Sequence, residues 1–193
     1  VDDGSCDMSS TDVFGCTDST GYNYNPLATI NNGDCVMLHL GEQVHGGIVF
    51  YVDETGQHGL VAAIEDLAEY YEWGCYGTSI SGADGQFIGT GYQNTLDIVA
   101  GCSDTNTAAY NALNSTVGGY TDWHLPSLGE LQTMYITIGQ GSENGNIGGF
   151  SNSYYWSSSE YYNNFAWFVN FSNNNEGYDY KYSTTRVRVI RAF

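Results

Sequence analysis

Side chains suited to molecular recognition crowd together near the C-terminus, in EYYNNFAWFVNFSNNNEGYDYKYS at 160–183. Tyrosine offers a large, rigid ring and a hydroxyl group at a small loss of conformational entropy, and Asn and Ser offer adaptable hydrogen bonds. Antibody paratopes favour the same residue types. The stretch therefore predicts a ligand-binding surface, whose candidate residues are Tyr162, Asn163, Asn164, Phe165, Phe168, Ser172, Asn174, Tyr178, Asp179, Tyr180 and Tyr182.

The alternation of side chains along a β-strand divides part of this stretch into two faces. One face of FAWFVNF is predicted to point into the core, and it holds Phe165, Trp167, Val169 and Phe171. Phe168 falls on the opposite face, where an aromatic ring indicates contact with a ligand. Tyr178, Tyr180 and Tyr182 share one face of the next strand, either as a buried ladder or as rigid binding contacts.

Groups for catalysis are not apparent in the sequence. The histidines are scattered, at His39, His45, His58 and His124, with no metalloprotease or nucleophile motif around them. The GTG run at 89–91 is not followed by the lysine of a phosphate-binding loop, and it predicts a turn. We therefore expect no enzymatic activity and no required cofactor.

Oxygen-bearing side chains near the N-terminus are candidate ligands for calcium, a hard cation that prefers oxygen. They are Asp18, Asn23, Asn25, Asn32 and Asp34. The alternative is that these side chains only hydrogen-bond to the backbone of turns.

Charge narrows the class of partner. The formal net charge is −18, and all four basic residues, Lys181, Arg186, Arg188 and Arg191, lie in the last thirteen positions. Such a chain repels nucleic acids and anionic membranes, and it has no apolar run long enough to span a bilayer. Its start, VDDGSC, is expected to be a cut in a longer precursor. Five cysteines in a polar, glycine-rich chain indicate an oxidising compartment, so we expect an extracellular, cell-surface or virion-surface protein.

The elements that would position these residues are a hairpin, two helices and C-terminal strands. The hairpin is predicted from strands 47–52 and 58–63. A first helix is predicted over 105–115, and a second begins at Ser127, where Ser127 and Glu130 form a capping box. The apolar segment from Arg186 to Phe193 is predicted to be a central strand, with its arginines paired to carboxylates.

An internal repeat sets the N-terminus apart. VDDGSC at 1–6 and INNGDC at 30–35 repeat one pattern, and GCTDSTGYNYNPLA at 15–28 opens a unit that resembles tandem repeats of large bacterial surface proteins. The resemblance implies a Cys16–Cys35 disulfide and an upstream partner for Cys6, and it leaves Cys75 and Cys102 as the remaining pair. The predicted domains are 1–36 and 37–193.

The larger part contains GGIVFYVDETGQHGLVAA, IGTGYQNT, GGYTDWHLPSLGELQTMY, YWSSSEY and VRVIRAF, in that order. In these motifs residues 41–193 resemble the family named for the C-terminal domain of Lcl, a collagen-like bacterial surface protein. The resemblance implies an α+β, C-type-lectin-like fold with an N-terminal hairpin, two short helices and loop-rich C-terminal strands.

Some such domains look like the variable proteins of diversity-generating retroelements, in which a C-terminal segment is rewritten at adenines. Replacing adenines in AAC or AAT, the codons of Asn, yields Tyr, Asp, Ser or Phe. Residues 151–183 hold seven Asn, seven Tyr and seven Ser, the mixture that such rewriting predicts. The alternative is an Asn/Tyr-rich sheet edge in a relative that is not diversified.

We therefore predict a secreted or surface-displayed module that recognises a protein or cell-surface ligand through its C-terminal Tyr/Asn/Ser/Phe face. Two alternatives remain open. One is a non-diversified adhesin that binds glycans or matrix polymers, and the other is a structural surface-repeat protein.

Overall fold

The computed structural model describes residues 12–193, and the first repeat segment with Cys6 lies outside this range. In chain order the strands are β1 Phe14–Gly15, β2 Ile30–Asn31, β3 Gln43–Val44, β4 Gly47–Val52, β5 Gly59–Ala63, β6 Tyr71–Glu72, β7 Tyr154–Tyr162, β8 Phe165–Asn170, β9 Asn175–Tyr180, β10 Thr184–Thr185 and β11 Ile190–Ala192. The helices are α1 Gly91–Gly101, α2 Ala108–Leu113 and α3 Leu128–Thr137, with a 3₁₀ turn at Val117–Gly119.

Internal contacts divide the described residues into two units. The smaller consists of 12–38 together with Val52–His58, and the larger consists of His39–Tyr51 and Gly59–Phe193. The smaller unit pairs β1 with β2 in parallel, and the predicted Cys16–Cys35 disulfide is confirmed. Because so short a segment buries little apolar surface, the disulfide is the main constraint on its fold.

The first sheet of the larger unit has the strand order β11-β5-β4-β3. Its hairpin, β4 and β5, confirms the predicted strands to within one residue. The C-terminal strand was predicted to be central, and this is wrong: β11 stands at the end of the order. Among the described residues, its outer side forms a single antiparallel bridge, from Ile190 to His124, because the chain beside it there is the loop that leads into α3.

The second sheet has the order β7-β8-β9 and is antiparallel throughout. Trp156 pairs with Phe168 and Glu160 with Ala166, so β7 contains two more residues than β8 over the same span. The extra residues form a bulge at Ser157–Ser159, and a second register shift follows between Glu160 and Tyr162. Bulges of this kind re-aim the side chains that follow them.

Helix α1 was not predicted, so the expectation of two helices is wrong and the described chain has three α-helices. The polar sequence GYQNTLDIVAG shows why: it has no side-chain cap at its start and no acidic residue in its first turn. The two predicted helices are present, as α2, which is shorter than the predicted 105–115, and as α3. The capping box of Ser127 and Glu130 at α3 is confirmed.

Glu130 also accounts for α1. Its carboxylate accepts hydrogen bonds from the backbone N–H of Ser127 at 2.6 Å and of Gly89 at 2.8 Å, and from the backbone of Gly91. Burial raises the pKa of Glu130, although these hydrogen bonds lower it. A carboxylate of α3 thus occupies the electropositive start of α1. The GTG run was predicted to be a turn, and it lies where a turn ends and α1 begins.

Besides these two sheets, the larger unit has a two-stranded antiparallel sheet of β6 and β10. A hydrophobic core joins the two larger sheets to α3. Leu131 and Met134 of α3 pack in one cluster with Phe50 of β4, Val169 of β8 and the neighbouring Phe171. The observed fold is a mixed α and β architecture. Its core lies under one half of the β7–β8–β9 sheet, which leaves the other half for a surface.

Candidate functional site

Aromatic rings form a continuous surface on one side of the β7–β8–β9 sheet. We call this surface the aromatic face and define it as Tyr76, Tyr161, Phe165, Trp167, Tyr178, Tyr180 and Tyr182. Each ring contacts at least one other, with centroid distances between 4.3 Å and 6.1 Å. Such distances fall in the range in which aromatic pairs attract one another.

Strand register places the central rings. Trp167 of β8 stands opposite Tyr178 of β9, and Phe165 stands opposite Tyr180, so each pair projects from the same face of the sheet. Tyr161 stacks on Tyr178 with its centroid 4.3 Å away. These contacts fix the orientation of rings that would otherwise rotate on an exposed edge strand.

Two rings extend the aromatic face beyond the strands. Tyr182 stacks on Tyr180 at 5.0 Å, and Tyr76, from the loop after β6, meets both of them edge-on. The confirmed Cys75–Cys102 disulfide adjoins Tyr76 and ties this loop to the end of α1. Partial desolvation of its hydroxyl, and then the charges of Tyr180, Tyr76 and Asp179, raise the pKa of Tyr182. Its hydroxyl group therefore remains a neutral hydrogen-bond donor at physiological pH.

The five tyrosines of the aromatic face are between 40% and 51% exposed. Of the two alternatives for Tyr178, Tyr180 and Tyr182, a buried ladder is therefore wrong, and the rings stand in register at the surface. Each presents an apolar ring and a hydroxyl group to solvent while its base is held by neighbours. This combination is typical of residues that contribute most to protein interfaces.

The predicted core face of β8 is only half correct. Val169 and the adjacent Phe171 are fully buried under α3, but Phe165 and Trp167 are partly exposed and belong to the aromatic face. Phe165 and Trp167 stay partly exposed because the apolar residues of α3 cover only the end of the sheet that contains Val169 and Phe171. Alternation predicts which residues share a face, but it does not predict where the covering helix stops.

Phe168 lies on the opposite face of the sheet from the tyrosines. Its ring is partly buried against Tyr154, 4.8 Å away, and Trp156, 6.5 Å away. It also covers Gly177, which is its partner in register and has no side chain to occupy that space. The structure therefore separates Phe168 from the other candidate rings, and packing explains an aromatic residue at this position.

The other candidate positions flank the aromatic face at two turns. Tyr162 is 67% exposed at the β7–β8 turn, beside the partly exposed Asn163 and Asn164. Ser172 and Asn174 lie in the β8–β9 turn, where Asn174 adopts a left-handed φ of 60°. The predicted residues thus do not form a single patch.

Asp179 has a local structural role. Its side chain accepts a hydrogen bond from the backbone N–H of Tyr180 at 2.7 Å. It lies on the other face of β9 from the tyrosines, because successive residues of a strand alternate. Its contribution to binding stays a prediction.

Three members of the aromatic face were not among the predicted site residues. Tyr161 and Trp167 belong to the same Asn- and Tyr-rich stretch. The register shift near Tyr161 affects which face its ring occupies, and nothing in the sequence indicated that shift. Tyr76 is more than eighty positions away in the chain and has no local signal. Only tertiary structure brings it to Tyr180 and Tyr182.

A buried ion pair supports the aromatic face from beneath. Lys181 is fully buried and pairs with Glu160, while its ammonium group donates to the carbonyl of Thr78 at 2.8 Å and lies 4.5 Å from the ring centre of Trp73. Glu160 also accepts from the backbone N–H of Ile80 at 2.9 Å. Burial lowers the pKa of Lys181, although Glu160 raises it. The pair fastens the loop that carries Tyr76 to both β7 and the end of β9.

The serines of the YWSSSE motif are scaffold residues. Ser157, Ser158 and Ser159 are all fully buried. Ser159 donates to the carbonyl of Gly85 at 2.6 Å and accepts from the N–H of Leu128 at 3.1 Å. The bulge therefore ties α3 and the loop before α1 to the strand that presents Tyr161.

The candidate calcium ligands are engaged in turns of the smaller unit. Asp18 accepts from Thr20, Asn25 accepts from the N–H of Leu27 at 3.0 Å, and Asn32 and Asp34 bond to each other. Asn23 accepts from the N–H of Val36 and donates to the carbonyl of Asp34. Over residues 12–193, no group of three or more His, Cys, Asp or Glu side chains is arranged to hold a metal ion. Calcium binding through Asp18, Asn23, Asn25, Asn32 and Asp34 stays a prediction.

Comparison with protein families identifies the larger unit. The family model of the Lcl C-terminal domain matches residues 64–191, more than half of the chain, so the chain belongs to the Lcl C-terminal domain family. The predicted resemblance began earlier, at residue 41, and the hairpin lies outside the matched segment.

Comparison with solved structures finds a distant similarity. A fimbrial protein from Bacteroides ovatus ATCC 8483 is similar to this chain, with 17% sequence identity and a TM-score of 0.48. The alignment covers 85% of this chain and 46% of that one, so the chain spans less than half of the fimbrial protein. Comparison with curated proteins finds no match. In the part of the chain that the structure describes, no helix has the length and apolar character needed to cross a membrane.

Proposed function

We propose that this protein is a secreted or surface-displayed ligand-binding module of C-type-lectin-like architecture, which recognises a protein or other cell-surface ligand through its aromatic face. The observation that carries the proposal is the continuous set of half-exposed, mutually packed rings on a rigid sheet. Full burial of an aromatic side chain removes roughly 150–250 Å² from water, and these half-exposed tyrosines keep about half of that area for a ligand. Because packing already restricts the rings, a ligand loses little of its binding free energy in ordering them.

Two features support an extracellular or surface location, on a cell or a virion. The chain belongs to a family named for the C-terminal domain of Lcl, and it contains two disulfides, which persist in oxidising compartments. The activity is binding rather than catalysis. No cofactor is required, and calcium is an optional ligand of the smaller unit.

Electrostatics supports a protein or neutral glycan ligand over nucleic acid, sulfated polymers or membrane. All four basic side chains are engaged with carboxylates: Lys181 with Glu160, Arg186 and Arg188 with Asp66, and Arg191 with Asp122. With a net charge of −18, the protein has no free cationic patch to attract an anionic polymer.

The proposal also includes diversification of the C-terminal segment by a retroelement. Tyr162, Asn163 and Asn164 project from a turn, and Tyr178 and Tyr180 from an edge strand, so replacing them disturbs little of the core. A variable binding surface needs this separation from the scaffold. The coding DNA tests it: we expect a nearby reverse transcriptase and an imperfect repeat of the segment that differs only at adenines. An unrepeated segment would leave a non-diversified adhesin.

The binding test compares the double variant Tyr178→Ala/Tyr180→Ala with the control Tyr154→Ala. Tyr154 is also 50% exposed but projects from the Phe168 side of the sheet. Fluorescent protein is applied to a panel of cultured bacterial cells and to immobilised neutral oligosaccharides. Loss of two central aromatic contacts is expected to weaken binding by about 2–4 kcal/mol, whereas the control retains it.

The same assay separates the ligand classes. Protease treatment of the cells should abolish binding to a protein ligand, and periodate oxidation should abolish binding to a glycan. Chelation of calcium should leave binding intact. Equal binding by the double variant and the wild type, or no binding to any target, would contradict a recognition role and favour a structural surface-repeat protein.

A further inference from the structure

The aromatic face borders a strand edge that no other strand in the described part of the chain covers. The outer edge of β7 is covered, because the N–H of Trp156 donates to the carbonyl of Arg186 and the N–H of Arg186 donates to the carbonyl of Tyr154. At the other side of this sheet, β9 pairs with β8 and with no other strand of residues 12–193. An uncovered strand edge presents backbone donors and acceptors to any chain that can lie beside it.

Strand register shows which backbone groups of β9 point outward. The N–H of Lys181 donates to the carbonyl of Asn164, in line with the β8–β9 register. Hydrogen-bonded and non-hydrogen-bonded pairs alternate in an antiparallel ladder. Asp179 and Gly177 therefore bond to β8, whereas Glu176, Tyr178 and Tyr180 direct their N–H and C=O groups away from it.

The protein itself closes one end of this edge. The N–H of Tyr180 donates to the side chain of Asp179, and its carbonyl accepts from the N–H of Ser183. Within residues 12–193, no hydrogen bond reaches the backbone N–H or C=O of Glu176 or Tyr178 from outside the strand. The open part of the edge is thus the segment from Glu176 to Tyr178.

A groove opens on the same side of the sheet. Its volume is about 570 Å³, and it is lined by Glu176, by Phe87 and Ile88 of the loop before α1, and by residues of α3 that include Ile136. Phe87 is 82% exposed, which is unusual for a phenylalanine. Glu176 and Tyr178 are two positions apart on one face of β9, so the groove adjoins the aromatic face.

Charge selects the occupant. Glu176 and Asp179 place a carboxylate on each face of β9, and every basic side chain of the protein is already paired. A second copy of this chain would bring like charges together, which is destabilising across strands. In a chain that has Lys or Arg beside apolar residues, the basic side chains would pair with the carboxylates and the apolar side chains would enter the groove.

We propose that β9 binds an extended, basic segment of another protein, which adds as a fourth strand beside Glu176–Tyr178. Backbone hydrogen bonds hold the segment, its apolar side chains enter the groove, and its basic side chains meet Glu176 and Asp179. This mode is β-strand addition. The inference rests on the proposed function, since it names the class of ligand for the surface that includes Tyr178.

The test uses a phage-displayed library of linear random peptides selected on the full chain. Enriched peptides are expected to combine Lys or Arg with apolar residues at alternating positions. A synthetic enriched peptide is then titrated against the matched variants Glu176→Ala and Glu176→Pro. Both remove the carboxylate, but only proline removes the outward N–H, and the β8–β9 ladder does not use that group. The dissociation constant should be at least about tenfold higher for Glu176→Pro than for Glu176→Ala.

A second measurement does not depend on the folding of a variant. N-methylation of the peptide along one edge should abolish binding to the wild-type protein, while N-methylation along the other edge should not. The bound peptide should also slow amide hydrogen exchange at Glu176 and Tyr178. Equal affinity for both Glu176 variants, tolerance of N-methylation on both edges, or no enrichment of peptides would overturn the inference.

Two further outcomes separate this inference from the proposed function. If cells bind the Glu176→Pro protein as well as the wild type, and lose binding only with Tyr178→Ala/Tyr180→Ala, the aromatic face functions without strand addition and the inference is wrong. If peptides bind as described but no cell or oligosaccharide does, the proposed cell-surface recognition fails while strand addition stands. A concentration-dependent dimer that Glu176→Pro abolishes would identify a second copy as the occupant and overturn the inference.

Discussion

His124 illustrates how the burial of a single side chain sets a property of the whole protein. It is 3% exposed, its ring meets Tyr92 edge-on at 5.4 Å, and its backbone pairs with Ile190. Burial lowers the pKa of His124 from 6.5 to about 4, although the carbonyl and the charge of Asp122 raise it. The folded protein therefore holds this imidazole neutral in mildly acidic solution, where an unfolded chain would protonate it.

The first prediction concerns this histidine. Between pH 6.5 and about 4 the unfolded state binds a proton at His124 and the folded state does not, so this residue lowers the free energy of unfolding as the pH falls. The full effect amounts to about 3 kcal/mol. The variant His124→Gln lacks this group. Its free energy of unfolding, taken relative to that of the wild type, should therefore rise by about this amount between pH 7 and pH 4. Urea unfolding at a series of pH values measures it, and a difference that does not change with pH would contradict the prediction.

At the scale of elements, two helices decide what the β7–β8–β9 sheet can present. Helix α3 covers Val169 and stops short of Phe165, which leaves the aromatic face at the surface. Helix α1 begins against α3, where the carboxylate of Glu130 accepts hydrogen bonds from the turn before it. A change at this junction should therefore affect folding, whereas a change on the aromatic face should affect binding.

The second prediction tests the junction of α1 and α3. A Cβ atom at Gly91 would meet the Glu130 carboxylate and also the carbonyl of Leu125 and the N–H of Ser127, both at 2.9 Å. Backbone atoms at that distance cannot move aside cheaply, so Gly91→Ala should destabilise the protein by about 2–3 kcal/mol. Gly101→Ala, at the other end of the same helix, meets only the side chain of Ile80, at 3.1 and 3.3 Å. A higher helix propensity offsets that contact, and the change should stay within about 1 kcal/mol.

Thermal or urea unfolding of the two glycine variants provides the comparison. Both variants add the same methyl group to the same helix, so their difference isolates the close approach at Gly91. Equal stability of the two proteins would show that the start of α1 can shift away from Glu130 without loss of packing.

At the scale of the whole molecule, charge is distributed very unevenly. The sequence contains 22 acidic residues and four basic ones. In the structure each Lys and Arg side chain pairs with a carboxylate. Arg188, for example, is 1% exposed and bonds to Asp66 and to the carbonyls of Ala63 and Gly148. The cations thus serve the scaffold, and the remaining carboxylates repel one another across the surface.

The third prediction follows from this repulsion. Raising sodium chloride from about 10 mM to about 150 mM shortens the screening length from about 30 Å to about 8 Å, which weakens repulsion between exposed carboxylates more than attraction within buried pairs. The melting temperature should rise by a few degrees over this range. Differential scanning calorimetry measures it, with sucrose of equal osmolality as the control. A falling melting temperature would show that exposed ion pairs outweigh the repulsion.

Local patterns were sufficient for several features of this protein. The β4–β5 hairpin, the capping box of Ser127 and Glu130, and the face shared by Tyr178, Tyr180 and Tyr182 all depend on residues a few positions apart. The Cys16–Cys35 disulfide was implied by the resemblance to tandem repeats of bacterial surface proteins, and Cys75–Cys102 was the pair that remained. In each case the pattern lies within a short stretch of sequence or in the limited number of cysteines.

Tertiary structure decided the rest. The start of α1 depends on Glu130, some forty positions later, and the terminal position of β11 depends on which strands pair. The bulge and the extent of α3 determine that Trp167 is only partly buried and that Phe168 is packed against Trp156. The sequence alone determined that EYYNNFAWFVNFSNNNEGYDYKYS is rich in recognition residues. Which of them share a surface was decided only by the fold, because strand register and helix coverage arise from contacts between distant parts of the chain.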